Sequence, residues 1–395
     1  MRFPEFTDEW EEERNDLIFD VISERNKNLK YDRILSASQS LGMVFRDELG
    51  IDMKFDKASI STYKIVKSGD YVIHLRSFQG GFAFSRKEGI CSPAYTILRP
   101  NNKVSFSFFE NGFTSKKFVD SLRIVTYGIR DGRSISVEEW LRLKSCFPSK
   151  AEQEKIIHFL DIINKRLATQ TKLIEKLQSL MGGIIDGTLY KRKYRLNGYV
   201  SEWKLLKLGD LGVFVRGLSY DNNSVVDDCT KTLVIRSNNI SQGKEVDLSK
   251  DVVYVDKIPE KEQMLQDNDI VFCLANGSSA LVGKNSVYNG NYNGTITIGA
   301  FCGIYRGTSL LTRWLLNSAQ YQRFISNLMQ GGNGAIANLK GQDILKLSFE
   351  FPSECEEENR LSIILSSIEQ KNVAEERLLK LYKSQKHYLL SQMFI

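Results

Sequence analysis

The 395-residue sequence predicts a mixed α/β (α+β) protein in which two domains in tandem repeat are separated by two long antiparallel coiled-coil helices. Three observations lead to this prediction. The chain repeats itself, each half ends in heptad-spaced apolar residues, and the remainder alternates β-rich runs with turn residues. We expect globular domains over 1–150 and 191–350, and long helices over 151–190 and 351–395.

The composition is that of a soluble globular protein. Hydrophobic residues make up 42% of the chain, which is enough apolar material for two cores of ordinary size. No apolar run is long enough for a membrane span, and the polar start MRFPEFTDEWEEER is unlike a signal peptide. The six cysteines are scattered without a C-x-x-C pair, so we expect a cytoplasmic protein without zinc. A net charge of +6 fits a nucleic-acid partner without requiring one.

The two halves share short motifs in the same order, which indicates a diverged duplication. RFPEFTDEW near the start resembles RLNGYVSEW, SGDYVIHL resembles DNDIVFCL, and each half then has a Phe-Pro-Ser triplet. The matched positions are Arg2 with Arg195, Phe6 with Tyr199, Trp10 with Trp203, Asp70 with Asp269, and 147–149 with 351–353.

A heptad seam follows each Phe-Pro-Ser triplet, and the two seams are 205 residues apart. The first comprises Ile156, Leu160, Ile163, Leu167, Gln170, Ile174, Leu177, Met181 and Ile184. The second comprises Leu361, Leu365, Ile368, Asn372, Glu375, Leu379, Tyr382, Lys386 and Leu389.

The seams predict that the two helices pair with each other, because a lone amphipathic helix is marginal in water. In an antiparallel pair, Ile156 lies near Leu389. Gln170 and Glu375 then form a polar layer that fixes the register at some cost in stability. The alternative is that each helix packs on its own domain.

Shorter elements are predicted between the seams. The stretch LLTRWLLNSAQYQRFISNLM (310–329) predicts an amphipathic helix, and QGGNGAIANLKGQD (330–343) predicts a glycine-rich loop. Runs such as YVIHL, AYTIL and TLVIR predict strands, because they combine β-branched and aromatic residues between turn clusters.

The stretch LANGSSALVGKNSVY (274–288) superficially resembles a phosphate-binding P-loop. A P-loop needs G-x-x-x-x-G-K-[ST], whose spacing forms a cradle of N–H groups and whose hydroxyl ligates Mg²⁺. Here five residues separate Gly277 from Gly283, and Asn285 follows Lys284 where the hydroxyl is needed. We therefore expect no nucleotide site in this stretch.

The sequence contains no recognisable catalytic or cofactor motif, so we expect a non-catalytic protein without cofactor or metal. The three histidines have no metal-ligand spacing, and H-E-x-x-H, G-x-S-x-G and an early G-x-G are missing. A base methyltransferase would need a Pro-Pro motif, which the chain lacks. Asp267 and Asp269, with nearby Lys284, imitate a nuclease cluster, but turn residues at the start of a strand are the favoured interpretation.

This arrangement resembles the specificity (S) subunit of type I restriction-modification enzymes, and the resemblance covers essentially the whole chain. In the first half, EEERNDLIFDV stands where the family has K-L-G-D, which is present at 207–210 in the second half. The stretches that carry the resemblance are FTDEW (6–10), GDYVI (69–73), SFQGG (77–81), SPAYTILRP (92–100), the helix start FPS…EQEKI (147–156) and KHYLLSQMF (386–394).

The resemblance implies a non-catalytic reader of double-stranded DNA. Each globular half would be a target-recognition domain that binds one part of a split asymmetric site. The helices would set the spacing and hold two methyltransferase (M) subunits, and restriction (R) subunits would complete the complex. That complex would methylate adenine and cleave DNA with ATP, and no membrane would be involved.

Loops that follow the matched strands are the predicted DNA-binding elements. Amide and guanidinium groups can make bidentate contacts to base edges, whereas basic side chains position the phosphates. The predicted base contacts are Arg76, Gln79, Asn276 and Asn285, with Ser38, Gln39, Arg236, Asn238, Asn239 and Ser278 as further DNA-binding residues. The predicted phosphate contacts are Arg86, Lys87, Lys284 and Lys340.

Two functions from other classes stay open at this point. A stand-alone metal-dependent nuclease needs a metal site, and cleavage of DNA with Mg²⁺ but without a partner would reveal it. A coiled-coil scaffold for protein partners would use the helices alone, and a lack of sequence-selective DNA binding would favour it.

Overall fold

The chain divides into two compact units that share two long helices. The computed structural model describes residues 2–38, 41–49, 57–74, 81–127, 134–330 and 338–393. Unit 1 comprises Met1–Thr171 and Arg377–Ile395, and unit 2 comprises Lys172–Glu376. The long helices are α4 (Lys150–Ile184) and α9 (Cys355–Met393). Within the described ranges, none of the helices combines the length and the apolar character needed to cross a membrane.

The globular part of unit 1 consists of short strands and short helices. Its strands are β1 (Glu11–Arg14), β2 (Phe19–Ile22), β3 (Leu35–Ser38), β4 (Gly42–Phe45), β5 (Lys64–Val66), β6 (Tyr71–Ile73), β7 (Phe82–Phe84), β8 (Gly89–Cys91), β9 (Thr96–Pro100), β10 (Thr126–Tyr127), β11 (Ser134–Ile135) and β12 (Lys144–Phe147). Its helices are α1 (Phe108–Gly112), α2 (Lys116–Ser121) and α3 (Val137–Arg142). The central sheet has the strand order β2-β9-β6-β7, and the pairs β1–β12, β3–β4, β5–β8 and β10–β11 surround it.

Aromatic rings fill the main core of unit 1. The buried ring of Phe19 lies 5.5 Å from that of Trp140 and 5.8 Å from that of Tyr71, measured between ring centroids. Tyr71 and Ile73 face this core, whereas Val72 between them faces a second core. The central strand β6 is therefore covered on both faces, which explains its uninterrupted apolar sequence.

The globular part of unit 2 contains a five-stranded sheet, a four-stranded sheet and one further strand pair. Its strands are β13 (Lys204–Lys207), β14 (Gly212–Arg216), β15 (Val225–Val226), β16 (Thr232–Ile235), β17 (Lys244–Glu245), β18 (Val253–Val255), β19 (Ile270–Cys273), β20 (Asn285–Val287), β21 (Ile296–Ile298), β22 (Cys302–Gly307) and β23 (Ser348–Phe351). Its helices are α5 (Leu208–Leu211), α6 (Thr312–Leu315), α7 (Ala319–Gln330) and α8 (Gly341–Leu345). The sheets have the orders β14-β22-β19-β20-β17 and β15-β18-β16-β21, and β13 pairs with β23.

One apolar core joins the two sheets of unit 2. Ile235 and Ile298 contribute from one sheet, and Val271 and Ile304 contribute from the other, all of them buried. Strands β16 and β21 are parallel, whereas β19 is antiparallel to both of its neighbours. The ends of β16, β19 and β21 lead into the loops that form the site described below.

The strand registers confirm that the chain is a tandem duplication. Strand β1 pairs with β12 so that Glu11 lies opposite Phe147, and β13 pairs with β23 so that Lys204 lies opposite Phe351. Phe147 and Phe351 begin the two Phe-Pro-Ser triplets that the sequence comparison matches. In both halves, the first strand of the globular part therefore pairs antiparallel with the last strand, just before the long helix begins.

An ion pair at the start of each long helix also repeats. Arg2 donates two hydrogen bonds to Glu152 at 2.6 and 2.7 Å, and Arg195 donates two to Glu357 at 2.9 Å. Both carboxylates are buried in the first turn of their helix, where the positive end of the helix dipole favours a negative charge. The matched pair Arg2 and Arg195 thus has a structural role in both halves.

The heptad pattern correctly predicts the buried face of both long helices and their antiparallel pairing. Every seam position in both helices is buried or half-buried. Ile156 shares a core with Leu389 in unit 1, and Ile184 packs against the core that contains Leu361 in unit 2. Gln170 of unit 1 and Glu375 of unit 2 are both buried, at 8% and 7% exposure, and the polar layer between them stays a prediction.

Polar contacts along the seam have the same antiparallel order. In unit 1, Lys386 Nζ donates to Asn164 Oδ1 at 2.7 Å, and Arg166 donates to the Tyr382 hydroxyl at 2.5 Å. The later residue of α4, Arg166, thus contacts the earlier residue of α9, Tyr382, as an antiparallel pair requires.

The predicted helix over 310–329 is two helices, α6 and α7. The Ser318 hydroxyl accepts a hydrogen bond from the Tyr321 N–H at 3.3 Å, and its carbonyl accepts from the Gln322 N–H at 3.1 Å. Ser318 therefore caps a new helix, which the continuous apolar pattern did not reveal. Helix α4 also continues into a π-helical segment, Ile185–Tyr190, beyond its predicted seam.

Candidate nucleic-acid interface

A buried ion pair anchors the strands that carry the predicted DNA-binding loops in each unit. Asp269, just before β19, accepts two hydrogen bonds from Arg306 of β22 at 2.6 and 2.8 Å. Asp70, just before β6, accepts two from Arg99 of β9 at 2.8 Å. Both aspartates are only 1% exposed, and these hydrogen bonds raise the pKa of both arginines. The matched aspartates thus occupy equivalent places in the two units.

The Asp269 carboxylate is fully engaged within unit 2. Besides its two bonds from Arg306, it accepts a hydrogen bond from the Gln266 N–H at 2.7 Å. The residues that the structure describes contain no group of three or more metal-ligating side chains. Asp269 is therefore a residue that fixes the start of a strand, as the favoured interpretation of the sequence has it.

Residues 274–284, called here the β19–β20 loop, connect two antiparallel strands. A P-loop instead connects a strand to a helix. Gly283 has a φ of +86°, and a Cβ at this position would lie 2.6 Å from Ile325 Cδ1. Its N–H donates to the Cys273 carbonyl at 2.9 Å. The glycine before Lys284 therefore serves a tight turn between strands.

A concave pocket of about 500 Å³ opens where three loops of unit 2 meet. These loops follow β16, follow β19 and connect β21 to β22, and the segment after β14 adds Tyr220 and Asn222 to the lining. This pocket, called here the three-loop pocket, is lined by Tyr220, Arg236, Ser237, Asn276, Gly277 and Phe301 together with smaller side chains. Two residues predicted from separate stretches of sequence, Arg236 and Asn276, thus line one cavity.

The polar side chains of the three-loop pocket hold the loops together. Asn276 Nδ2 donates to the Ser237 hydroxyl at 3.0 Å, and its Oδ1 accepts from the Ser278 N–H at 3.0 Å. Arg236 Nη2 donates to the Asp251 carbonyl at 2.8 Å. Arg236 Nε is buried and has no hydrogen-bond partner among the described residues. Asn276 therefore positions two loops and still presents its second amide hydrogen.

Other predicted residues of unit 2 lie on the surface near these loops. Asn238 and Ser278 are exposed, and Lys284 is half-buried at the end of the β19–β20 loop. Lys340 is exposed and precedes α8, next to Leu339, whose N–H donates to the Leu274 carbonyl at 2.8 Å. These positions suit contacts with an extended partner such as a DNA backbone.

Two predicted DNA-binding residues, Asn239 and Asn285, are in the interior instead. Asn239 is 0% exposed and donates to the carbonyls of Asp247 and Lys250 at 2.9 and 2.6 Å. Asn285 is 1% exposed, lies within β20 and donates to the Leu316 carbonyl at 3.2 Å. Their amides satisfy backbone groups, so the prediction that they contact DNA does not fit their burial.

In unit 1 the two predicted phosphate contacts have partners within the chain. Arg86 donates to Glu110, with the shorter contact at 2.5 Å, and Lys87 donates to Glu48 at 2.6 and 2.7 Å. These pairs are solvent-exposed and therefore weak enough to exchange for a phosphate.

Four other DNA-binding residues were predicted in unit 1. Ser38 is half-buried at the end of β3, opposite Gly42. Gln39, Arg76 and Gln79 lie outside the described residues.

Three residues of the site were not identified from the sequence. Phe301 is 69% exposed at the rim of the three-loop pocket, and Tyr220 lines its wall. The exposed Arg216 donates to the Ala300 carbonyl at 3.4 Å, which brings a guanidinium beside the same rim. A lone aromatic residue after a Gly-Ala turn is the signal that was available for Phe301.

Two curated proteins are similar in sequence to this chain. The specificity subunit of the type I restriction enzyme EcoKI from Escherichia coli (strain K12) is 26% identical over 191 residues, covering 46% of this chain and 40% of that protein. The StySPI specificity subunit from Salmonella potsdam is 27% identical over 193 residues, with the same coverage. The matches thus span less than half the length of these relatives. No family model matches the sequence.

Two solved structures resemble the chain over nearly its full length. The S subunit of the type I restriction-modification system from M. genitalium has a TM-score of 0.61 at 14% identity, covering 100% of this chain and 99% of that one. A chain from a structure of a type I R-M system has a TM-score of 0.58 at 14% identity, with 99% and 98% coverage. The resemblance noted in the sequence is therefore confirmed, and this chain has the fold of a type I restriction-modification specificity subunit.

Proposed function

We propose that this chain is the non-catalytic DNA-recognition subunit of a type I restriction-modification complex. Each globular domain, over 1–150 and 191–350, binds one part of a split asymmetric DNA site. The observation that carries this proposal is a duplicated strand frame with the same buried Asp–Arg pair in both units, combined with loops that differ between them. A repeated frame with different loops suits two readers of different sequences.

The surface of unit 2 supports DNA binding. Arg236 and Asn276 face one pocket, and both residue types can make bidentate contacts to guanine or adenine edges. Arg216, Lys284 and Lys340 lie around the same loops and suit phosphates, which position a protein on DNA without specifying sequence.

The long helices are the proposed docking sites for two methyltransferase subunits. Apolar side chains stay exposed on the outside of both helices, although the seams are covered. Ile162, Leu180, Ile363 and Leu381 are each more than half exposed. Such side chains on an otherwise polar helix suit contact with another protein. Restriction subunits then join this core, which methylates adenine and cleaves DNA with ATP.

The two other functions receive less support. A nuclease built around Asp269 would need that carboxylate for a metal, but Arg306 and the Gln266 N–H already occupy it. A protein scaffold would use the helices but would leave the pocket between three loops of unit 2 without a role.

The proposal is tested by sequencing the methylated bases of a host that expresses this chain together with its methyltransferase. We expect one split motif, with two specified parts separated by unspecified bases. A chimaera in which residues 191–350 come from a subunit of different specificity should change one part of the motif only. A continuous motif, or a change in both parts, would contradict the two-reader proposal.

Catalysis is tested separately. We expect the purified chain alone neither to methylate nor to cleave DNA, with or without Mg²⁺. Consumption of adenosylmethionine by the chain alone, in the presence of DNA, would show that it is itself an enzyme.

A further inference from the structure

The three-loop pocket is larger than contacts to a paired base edge require. Its volume of about 500 Å³ is within the range of small-molecule sites, which is roughly 300–1,000 Å³. Tyr220 supplies an aromatic wall, and Gly277 in the lining leaves open space, since no atom lies within 4 Å of a Cβ built there. The cavity therefore has room for a flat ring system.

One side of the pocket carries hydrogen-bonding groups. Arg236 lines the pocket with its Nη2 anchored on the Asp251 carbonyl, whereas its Nε is buried out of reach of the cavity. Asn276 has used one amide hydrogen on Ser237 and keeps the other. These groups can match the donor and acceptor edge of a nucleobase, while the apolar walls cover its faces.

Phe301 stands at the rim and is 69% exposed. Its carbonyl accepts hydrogen bonds from the N–H groups of Leu274 and Ala275, at 2.8 and 3.2 Å. The backbone is thus fixed while the ring projects into solvent. Apolar side chains held in this way can insert between base pairs and fill the gap left by an unstacked base. Arg216, beside the same rim, is suited to the adjacent phosphate.

We propose that unit 2 takes one base of its half-site out of the duplex and holds it in the three-loop pocket, with Phe301 inserted in its place. Tyr220 stacks on the extruded base, and Arg236 and Asn276 contact its edge. This inference rests on the proposed function and adds to it a way of reading sequence that paired base edges do not provide.

The test uses the full chain without methyltransferase, because a methyltransferase can itself extrude its target base. Duplexes that contain the split motif carry 2-aminopurine at one position at a time in the half-site of unit 2, and binding is followed by anisotropy. We expect fluorescence to rise several-fold at one position on saturation. A mismatch opposite the extruded base should tighten binding roughly tenfold, because unpairing then costs less.

Two variants examine the pocket directly. Gly277→Leu adds a bulky side chain to the pocket lining without a backbone clash, and Phe301→Ala removes the inserted ring. Each should abolish the 2-aminopurine signal, weaken binding to the matched duplex roughly tenfold and leave the melting temperature unchanged. Ile258→Ala, at a residue 85% exposed in unit 2, is the matched control and should have no effect.

The outcomes separate this inference from the proposed function. Sequence-selective binding without a fluorescence change at any position overturns base extrusion but leaves DNA recognition intact. An undiminished signal in Gly277→Leu also overturns it, because the pocket is then not the receptor. Failure of the chain to bind the motif in preference to random DNA contradicts both.

Discussion

Single carboxylates hold the strand frames in place. Asp70 and Asp269 each accept two hydrogen bonds from an arginine on a neighbouring strand, and both are almost completely buried. Removing one partner of such a pair leaves the other charge without compensation, which costs more than the pair itself contributes. Substitution of either aspartate should therefore lower the free energy of unfolding substantially, whereas surface ion pairs contribute little to that free energy.

We predict that Asp269→Asn lowers the free energy of unfolding by about 3 kcal/mol, because Arg306 loses its counter-charge. Urea unfolding followed by circular dichroism measures the change. The matched control is Asp256→Asn, whose ion pair with Lys231 is exposed and should change stability by less than about 0.5 kcal/mol. Equal losses in the two variants would show that burial of the pair is unimportant.

Residue types alone predicted only part of the site. Arg236 and Asn276 were identified because they are polar residues after apolar strands, and both line the pocket. The prediction for Asn285 does not fit its position, because it looks like a turn residue but belongs to a buried strand, where its amide donates to the Leu316 carbonyl. Which polar residue faces inwards depends on distant partners, and these are not visible in local sequence.

The long helices are the elements that the sequence predicted best. A heptad seam depends only on spacing, so each buried position could be named in advance. The broken helix at Ser318 was missed because its apolar pattern continues across the break. A single hydroxyl that caps α7 decides the boundary.

The antiparallel pairing predicts a specific crosslink. Cysteines at Ile156 and Leu389 should form a disulfide within one chain, since both residues lie in one core of unit 1. Cysteines at Ile156 and Leu379 should not, because Leu379 is ten residues from Leu389 in α9, which places it about 15 Å away along the helix. Non-reducing electrophoresis after mild oxidation distinguishes the two. Crosslinking of the second pair alone would contradict the observed register.

Lys386 at the α9 seam offers a pH-dependent prediction. Burial lowers the pKa of its ammonium group below the usual 10.5, although the charge of Glu110 opposes this. The unfolded chain therefore binds the proton more readily, and stability rises with pH through the window below 10.5. Lys386→Met should stabilise the chain on the order of 1 kcal/mol at neutral pH, and the difference should shrink as pH approaches 10.5.

Urea unfolding at neutral and alkaline pH measures this difference. Lys383→Met is the control, because Lys383 is exposed on the same helix and should give the same small effect at both pH values. A gain for Lys386→Met that grows with pH would contradict the sign of the prediction.

For the whole molecule, the order of shared motifs predicted the duplication and the fold class. It could not predict the three-loop pocket, because the pocket needs three loops from separate stretches to meet. The parallel pair of β16 and β21 and the antiparallel pair of β19 and β22 bring those loops together. Such pairings depend on contacts between residues far apart in the chain.

Salt dependence should reveal how many basic groups of the chain meet phosphates. We predict that log affinity for DNA falls linearly with log salt, and that Lys284→Ala flattens this slope by about one unit at any sequence. Lys231→Ala, at an exposed lysine already paired with Asp256, should leave the slope unchanged. Anisotropy titrations at several salt concentrations measure both. A loss of sequence preference in Lys284→Ala would instead indicate a base contact.

The Asp269–Arg306 ion pair, which joins strands next to the β19–β20 loop, also bears on how the gene can change. Asp269 and Arg306 lie on either side of the loop in the sequence, so the strands that border the loop do not depend on its side chains for their charge balance. Under the proposed function, a short exchange of coding sequence between β19 and β20 therefore alters what is recognised and leaves this ion pair intact. Unit 1 has the same Asp–Arg arrangement around β6 and β7. A gene of this design can diversify by recombination of two small cassettes, each independent of the other.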